Sequence, residues 1–259
     1  MNRRQRRRQQ KIDNFFILAV ILFAVFGSFF PEIKTHIQNV EISNQQQIEQ
    51  AEKEGKTTNQ RVNANYESGD SATYRTVHHN DPGFSEKQLQ NARKSYKKFS
   101  DLDSLGRCGT AEASVGRDLL PTEKRQSIGM IRPTGWHTVR YDNLIEDRYL
   151  YNRCHLIAFC LCGENANEKN LITGTRYMNV EGMLPFETKV LDYVRDTGNH
   201  VLYQVAPDFK GDNLLASGVR MKAESVEDNG KGIKFNVYVN NVQPGILIDY
   251  KTGDSKAEK

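Results

Sequence analysis

Apolar and polar residues divide the chain into an apolar N-terminal run, a long polar stretch and a larger region of mixed pattern. Residues 15–30 have the sequence FFILAVILFAVFGSFF, which carries no charge, and Pro31 follows them. Residues 32–72 are rich in Gln, Asn, Glu and Lys, and they contain too few large apolar side chains to bury enough surface to order themselves. We therefore predict an N-terminal hydrophobic helix over residues 15–31, a flexible linker over 32–72 and one folded domain over 73–259.

The spacing of apolar residues in the folded domain predicts two helices. The first spans residues 85–99, with Ser85 as a candidate N-cap. The second spans residues 186–198, with Pro185 near its start and Gly198 at its end, which are positions that these residue types favour. Alternating or continuous apolar runs predict strands at residues 135–142, 149–159, 170–175, 200–207, 216–226, 232–242 and 245–250. The mixture predicts an α+β fold in which helices flank an antiparallel or mixed β-sheet.

The strand predicted over residues 149–159 has the sequence YLYNRCHLIAF, in which apolar residues surround four that are not. Asn152, Arg153, Cys154 and His155 interrupt a run that is otherwise typical of a protein core. Burial of an unpaired charge is costly, so the guanidinium must have a partner or reach solvent. Either these four side chains satisfy one another, or they line a functional site.

Positive charge is concentrated at the N-terminus. The first eleven residues, MNRRQRRRQQK, carry six positive charges, and the whole chain carries +4, so the remainder carries the difference, −2. Because the rest of the chain carries no excess of positive charge, nucleic acid could bind only in a local, positively charged groove. A basic segment before an apolar run is typical of an export signal, and residues 1–14 would then form a cytoplasmic tail.

The apolar run leaves the type of export signal open. Its 16 residues are just short of the roughly 17 to 25 that span a bilayer, and no A-x-A cleavage site follows. We predict a signal anchor that tethers the domain to the membrane at the cell surface. A cleaved signal peptide, which would leave the domain secreted, and a buried core helix are the alternatives.

The four cysteines also leave three alternatives. Cys108, Cys154, Cys160 and Cys162 form an even number, which permits disulfides in an exported chain. The spacing CHLIAFCLC resembles a set of metal ligands, but C-x-C within an apolar run is poor for zinc. Free buried thiols are the third alternative.

Polar residues recur after His155 at spacings that carry a resemblance to a known family. Asn170, Asn179 and Glu187 follow at intervals of nine and eight residues. The stretches PTGWHTVRYD, YNRCHLIAF and NEKNLITGTRYMNVEGMLPFE resemble the DNA/RNA non-specific endonucleases of the ββα-metal superfamily. They are most similar to streptococcal-type secreted DNases with an NRCH or NRSH variant of the D-R-G-H motif. The resemblance covers roughly residues 95–255.

The resemblance implies roles for three residues in phosphodiester hydrolysis. His155 would be the general base that activates water, because an imidazole with a pKa of about 6.5 suits proton transfer near neutral pH. Asn179 would be the single direct protein ligand to Mg²⁺, an ion that keeps most of its waters, with Mn²⁺ as an alternative. Glu187 would hold those waters from the helix.

Three further residues receive less specific roles. By the same resemblance, Asn170 would support the active-site loop, and Arg153 would orient the site or contact phosphate. Arg176 is a candidate for nucleic-acid binding from its charge and position alone. Each has a structural alternative, since asparagine is common in turns and caps, and arginine is common in ion pairs.

Three positions bear on the resemblance. Asn152 stands where D-R-G-H members carry Asp, so a carboxylate beside the base is lost, and Cys154 replaces Gly or Ser. Pro185 lies between Asn179 and Glu187 and would remove a backbone hydrogen bond inside a helix, so those two residues need not lie on one unbroken helix.

The sequence therefore predicts an exported, metal-dependent endonuclease that hydrolyses DNA, with RNA as an open alternative, without strong sequence preference. A catalytically silent surface receptor that binds nucleic acid for DNA uptake is the main alternative, and the loss of the motif Asp at Asn152 favours it. A sequence-specific endonuclease of the HNH type is a third alternative, which would yield discrete fragments.

Overall fold

The computed structural model of the chain describes residues 73–258, which form an α+β fold with antiparallel sheets. The predicted fold class is thereby confirmed. The predicted hydrophobic helix and linker, over residues 15–72, lie outside the described residues. No helix within residues 73–258 is long and apolar enough to cross a membrane.

The described part of the chain contains β-strands and short helical segments in the following order. The strands are β1 (Tyr74–Thr76), β2 (Tyr96–Phe99), β3 (Ala111–Val115), β4 (Tyr151–His155), β5 (Leu171–Thr175), β6 (Val201–Pro207), β7 (Gly218–Ser225), β8 (Lys234–Asn240), β9 (Ile246–Ile248) and β10 (Ser255–Ala257). The helices are α1 (Glu86–Asn91), α2 (Phe159–Cys162) and α3 (Leu184–Thr197), with a π-helical turn at Met178–Met183 directly before α3. Short 3₁₀ turns occur at His78–Asn80, Arg117–Leu119 and Glu168–Asn170.

A six-stranded antiparallel sheet, ordered β1-β8-β7-β6-β3-β2, carries the main core on one face. Alternation along the strands points Tyr203, Val205 and Phe235 to that face. Helix α3 covers the same face, because Phe186 lies 4.9 Å from the Tyr74 ring and 5.0 Å from the Phe235 ring. Aromatic pairs of this kind contribute about 0.5–1.5 kcal/mol each beyond the area they bury, so α3 is firmly held against the sheet.

Strands β4 and β5 form a separate antiparallel pair, with a register that runs from Tyr151 opposite Thr175 to His155 opposite Leu171. Close approach requires Gly174 in β5, because an added Cβ would lie 2.5 Å from the Cys154 sulfur. The thiol of Cys154, which is fully buried, therefore occupies the space that this glycine leaves. The larger residue at this position of the motif is accommodated by packing.

The predicted helix over residues 186–198 is confirmed and begins two residues earlier than predicted. Phe186, Val190 and Val194 are buried on one face of α3, and Gly198 ends the helix in the left-handed conformation with φ of 76°. Six of the predicted strands are confirmed, and their ends differ from the predicted ends by a few residues at most. They are β4, β5, β6, β7, β8 and β9.

The helix predicted over residues 85–99 is wrong in its second half. Ser85 does cap α1 through a capping box with Gln88, but the helix ends at Asn91. Tyr96–Phe99 is instead the edge strand β2, paired with β3. The Ala92 carbonyl accepts a hydrogen bond from Ser114 Oγ, so a tertiary contact replaces the next helical turn.

The strand predicted over residues 135–142 is also wrong. Gly135 adopts a φ of 64°, and the Trp136 amide donates to the Pro133 carbonyl, which makes a turn. Only an isolated bridge between Arg140 and Tyr149 has strand pairing in this segment. The alternation of apolar residues reflects packing of Trp136 and its neighbours against a small second core rather than a sheet.

All four cysteines are free thiols, so the third alternative for them holds. Cys108, Cys154 and Cys162 are buried, and Cys160 is half-buried. Burial raises the pKa of each of the four thiols above its usual range. No group of three or more His, Cys, Asp or Glu side chains within residues 73–258 is arranged to hold a metal ion by itself.

Candidate active site

A cavity of about 270 Å³ lies where the end of β4 meets the helical stretch that leads into α3. It brings together four of the residues that the sequence singled out, Arg153, His155, Asn179 and Glu187. Asn170 and Arg176 are not part of its lining. The remaining lining residues are Arg125, Ala158, Phe159, Cys160 and Leu184.

His155 is held in one orientation at the end of β4. Its Nε2 lies 2.8 Å from the backbone carbonyl of Asn165, and a carbonyl can only accept a hydrogen bond. The neutral ring therefore carries its hydrogen on Nε2 and leaves Nδ1 as a proton acceptor. The side chain is only 7% exposed, and this burial, opposed by the bond to Asn165, lowers the pKa of His155 below its ordinary value.

Asn170 stabilises the loop that follows His155. Its carboxamide accepts from the Ile157 amide at 2.8 Å and donates to the Ile157 carbonyl at 2.9 Å, and the residue is fully buried. Its own backbone carbonyl accepts from the Leu156 amide. These three bonds join the chain after β4 to the start of β5.

Asn179 and Glu187 face the cavity without a partner in the described part of the chain. The Asn179 carboxamide and the Glu187 carboxyl make no hydrogen bond or ion pair within residues 73–258. Glu187 is 7% exposed, and burial raises its pKa to about 8, although Arg125 acts in the opposite direction. A buried carboxyl without a partner is costly to ionise, which indicates that a positive group belongs beside it.

The helical stretch from the end of β5 to Thr197 is continuous, although it contains Pro185. Asn179 lies in the π-helical turn, whose backbone closes by a hydrogen bond from the Leu184 amide to the Asn179 carbonyl. Pro185 lies in the first turn of α3, where the absence of an amide hydrogen is tolerated. Asn179 and Glu187 therefore lie on one continuous helical stretch. The sequence had left this open because of Pro185.

Arg153 is fixed against the segment that precedes β4. Its guanidinium donates to the carbonyls of Gly129 and Ile131 and stacks 3.9 Å from the centre of the Trp136 ring. Burial and the nearby Arg132 lower the pKa of Arg153, and the guanidinium stays charged because arginine is not deprotonated in proteins. The charge in the middle of the apolar run thus has carbonyl and aromatic partners at the edge of the cavity.

Arg176 does not line the cavity. Its guanidinium forms an ion pair with Asp147, and its backbone amide donates to the Leu150 carbonyl. The structural alternative, an ion-pair partner, therefore describes its contacts, and a role in nucleic-acid binding stays a prediction.

Arg125 is a lining residue that the sequence analysis missed. It is exposed and makes no hydrogen bond or ion pair within residues 73–258. Its charge acts on His155, Glu187 and Cys160, which places it close to all three. Its segment, PTEKRQS, has no apolar periodicity, so no pattern in the sequence indicated it.

The donor set at the cavity fits a hydrated divalent cation. The carboxamide oxygen of Asn179 and the carboxylate of Glu187 are hard oxygen donors of the kind that Mg²⁺ prefers. A single cation would remove the cost of ionising Glu187 in its buried position. With so few protein oxygens, most positions around the ion would be left to water.

The chain resembles several known proteins. Residues 87–227 match the family described as DNA/RNA non-specific endonuclease. A deoxyribonuclease from Streptococcus dysgalactiae subsp. equisimilis is 34% identical over 110 residues, which are 40% of this chain and 32% of that protein. The chain therefore matches about a third of the length of this relative.

Two solved structures share the fold. NucA from Streptococcus agalactiae with a bound magnesium ion aligns at 26% identity and a TM-score of 0.58, over 64% of this chain and 79% of NucA. The Sda1 nuclease with a bound zinc ion aligns at 26% identity and a TM-score of 0.58, over 72% of this chain and 97% of Sda1.

Proposed function

Because the chain belongs to the DNA/RNA non-specific endonuclease family, with the match over residues 87–227, we propose that it is an exported, Mg²⁺-dependent endonuclease. It hydrolyses phosphodiester bonds of DNA without strong sequence preference. In this proposal β4, β5 and the helical stretch through α3 are the ββα unit of the superfamily. One observation supports the proposal most: a single cavity joins a histidine with a free ring nitrogen, an unpartnered carboxamide and a buried, unpartnered carboxyl.

In this proposal, His155 is the general base that accepts the proton. With its hydrogen fixed on Nε2 by Asn165, Nδ1 accepts a proton from the attacking water. Burial lowers the pKa of His155, which favours the neutral base form near neutral pH. Asn170 is a positioning residue, because it fixes the loop to which His155 is anchored.

Positive charge at the phosphoryl oxygens comes from the arginines in the proposed mechanism. Arg125 is exposed, unpaired and close to His155, so it is the residue that is free to contact the scissile phosphate. Arg153 has two carbonyl partners and a stacked ring, so it mainly keeps the site in shape while adding to the positive potential. A divalent cation, when bound, neutralises phosphoryl oxygens and assists protonation of the leaving oxygen. Asn179 would hold that cation, and Glu187 would help to hold it through hydrogen bonds to water.

The test of the proposed function is cleavage by the purified full-length chain. Plasmid DNA with Mg²⁺ should be converted to a smear of short fragments, and EDTA should abolish the reaction. Single-stranded DNA and RNA in parallel reactions define the substrate range. Retained binding of DNA without any cleavage would instead support a surface receptor, and discrete fragments would support a sequence-specific endonuclease.

The metal site is tested by Asn179→Ala. We expect loss of most activity at low Mg²⁺, with partial recovery as Mg²⁺ is raised, because a weakened binding site is filled by mass action. Glu181→Ala, which changes an exposed residue of the same π-helical turn, is the matched control and should keep full activity. Isothermal titration with Mg²⁺ should show weaker binding only for Asn179→Ala. Wild-type activity and affinity in that variant would remove Asn179 from the site.

The location of the protein is tested separately. The basic residues 1–14 and the apolar run predict that the full-length chain stays in the membrane fraction, with the folded domain open to added protease at the cell surface. Whole-cell protease treatment and fractionation measure this. A mature chain found free in the medium, with a new N-terminus between residues 28 and 45, would show that the signal is cleaved.

A further inference from the structure

The hydroxyl of Tyr203 is a buried polar group that the proposed mechanism does not use. Tyr203 is 0% exposed, and its hydroxyl makes no hydrogen bond within residues 73–258. A buried hydroxyl without a partner is costly, so proteins bond nearly all such groups to other protein atoms or to internal water. The Tyr203 hydroxyl therefore requires a partner that residues 73–258 do not supply directly.

The fold directs the Tyr203 side chain toward helices α2 and α3. Tyr203 lies on the core face of β6, between Ala113 of β3 and Ala223 of β7 in the sheet register. Helix α3 packs on the same face of the sheet, and α2 packs against both α3 and β3. Because side chains stand roughly perpendicular to a sheet, the hydroxyl at the end of the ring points toward these two helices.

Two residues of the active-site cavity lie close to this hydroxyl. Phe186 of α3 lies 5.0 Å from the Phe235 ring, which in turn lies 6.4 Å from the Tyr203 ring, so the first turn of α3 is near Tyr203. Glu187, the next residue of that turn, is buried and lines the cavity, as does Cys160 of α2. Burial and the nearby Glu187 and Cys160 groups raise the pKa of Tyr203 well above its ordinary value.

The Tyr203 hydroxyl and the Glu187 carboxyl complement each other. The raised pKa keeps the hydroxyl protonated, so it always has a hydrogen to donate, and the carboxylate of Glu187 can only accept. The two groups form no direct hydrogen bond, but one water can join them by accepting from Tyr203 and donating to Glu187. An internal water needs two to four polar partners, and the Cys160 thiol is a third group nearby.

We propose that Tyr203 is a positioning residue for Glu187, and that one internal water joins the Tyr203 hydroxyl to the Glu187 carboxyl. The water gives the carboxylate a fixed direction toward the waters of a divalent cation, as outer partners of metal sites commonly do. This inference rests on the role of Glu187 in the proposed nuclease function. The core of the sheet thereby takes part in binding of the cation.

Tyr203→Phe tests the proposal because it removes only the hydroxyl. Isothermal titration of the full-length chain with Mg²⁺ should show about 10- to 100-fold weaker binding, the usual loss when an outer partner of a metal site is removed. Tyr250→Phe is the matched control, since its hydroxyl donates to the Asn241 carbonyl at 2.6 Å and Tyr250 does not line the cavity. It should lower the thermal midpoint and leave the affinity for Mg²⁺ unchanged.

A double-mutant cycle identifies Glu187 as the group through which Tyr203 acts. In the Glu187→Gln background, Tyr203→Phe should change the affinity for Mg²⁺ by less than about twofold, because the carboxylate that the hydroxyl orients is gone. An equal loss in both backgrounds would overturn the proposal. So would unchanged affinity in Tyr203→Phe together with a higher thermal midpoint, which is the result expected when an unbonded buried hydroxyl is removed.

A crystal structure of the full-length wild-type chain grown in EDTA tests the water without reference to metal or activity. A water within about 3.2 Å of both Tyr203 Oη and a Glu187 carboxyl oxygen supports the proposal, and the absence of such a water overturns it. If the wild-type chain binds no Mg²⁺, this crystal structure decides alone. If the chain binds Mg²⁺ but does not cleave plasmid DNA, the nuclease function fails, and the titrations still decide the role of Tyr203.

Discussion

Replacement of His155 with glycine should lower the rate of DNA cleavage by about 10²–10⁴-fold, which is the usual loss when a general base is removed. The hydrogen bond from Nε2 to Asn165 and the 7% exposure of the ring leave Nδ1 as the free proton acceptor in the cavity. Because the pKa of His155 is lowered by burial, the wild-type rate should fall on the acid side with a midpoint below about 6.5. A pH profile of kcat/KM measures this limb, which the glycine variant should lack.

Added imidazole should restore activity to the His155→Gly variant. The substitution leaves a space of about one ring next to Asn179 and Glu187, and free imidazole can take up the proton from water there. Recovery should rise with imidazole concentration and appear only where imidazole is neutral, above about pH 7. His137→Gly, which removes another imidazole bonded to a backbone carbonyl but not part of the cavity lining, should show neither the loss nor the recovery. Full activity in folded His155→Gly without imidazole would refute the assignment.

Replacement of Glu187 with glutamine should stabilise the metal-free protein strongly at pH 8 and by only about 1 kcal/mol at pH 5. The pKa of Glu187 is raised to about 8 in the folded state, compared with about 4.3 in an unfolded chain. The stability linked to the protonated carboxyl is therefore fully present below about pH 4.3 and is lost as the pH rises through 8. By linkage this loss amounts to up to about 5 kcal/mol, and glutamine, which cannot ionise, avoids it.

Urea unfolding in EDTA at the two pH values measures this difference. Glu181→Gln, an exposed acid on the same helical stretch, is the control and should follow wild type at both pH values. Addition of Mg²⁺ at pH 8 should stabilise the wild-type protein more than Glu187→Gln, because only the carboxylate gains from the cation. Parallel pH dependence of wild type and Glu187→Gln would show that the carboxyl is not held in the buried, unpartnered state described above.

The parts of the fold that could be predicted from the sequence are those in which local pattern and tertiary packing agree. Helix α3 shows apolar residues at helical spacing, a proline near its start and a glycine at its end, and all three features act together. The segment that forms β2 has a helical pattern of its own, yet pairing with β3 outweighs it. Propensity is a small term per residue, and a whole row of ladder bonds overrides it.

The residues of the candidate site likewise fall into those that the sequence indicated and those that it did not. His155, Asn179 and Glu187 could be grouped because their motifs resemble a known family, and the structure places all three around one cavity. Arg125 could not, since it belongs to a segment without periodicity whose path depends on other contacts. The bonds that Arg153 makes to the carbonyls of Gly129 and Ile131 are one example, and no spacing of residues indicates such side-chain-to-carbonyl contacts.

The π-helical turn has a geometric consequence for the alignment of the two oxygen donors. In a regular α-helix each residue turns about 100°, so residues eight apart, such as Asn179 and Glu187, would point about 80° away from each other. The wider turn at Met178–Met183 absorbs one residue, so the pair behaves as if it were separated by seven, or about 20° from alignment. The chain therefore carries one residue more than its helical path needs. A homologue that lacks a residue at this point, with an unbroken α-helix, would present the same two side chains in nearly the same direction.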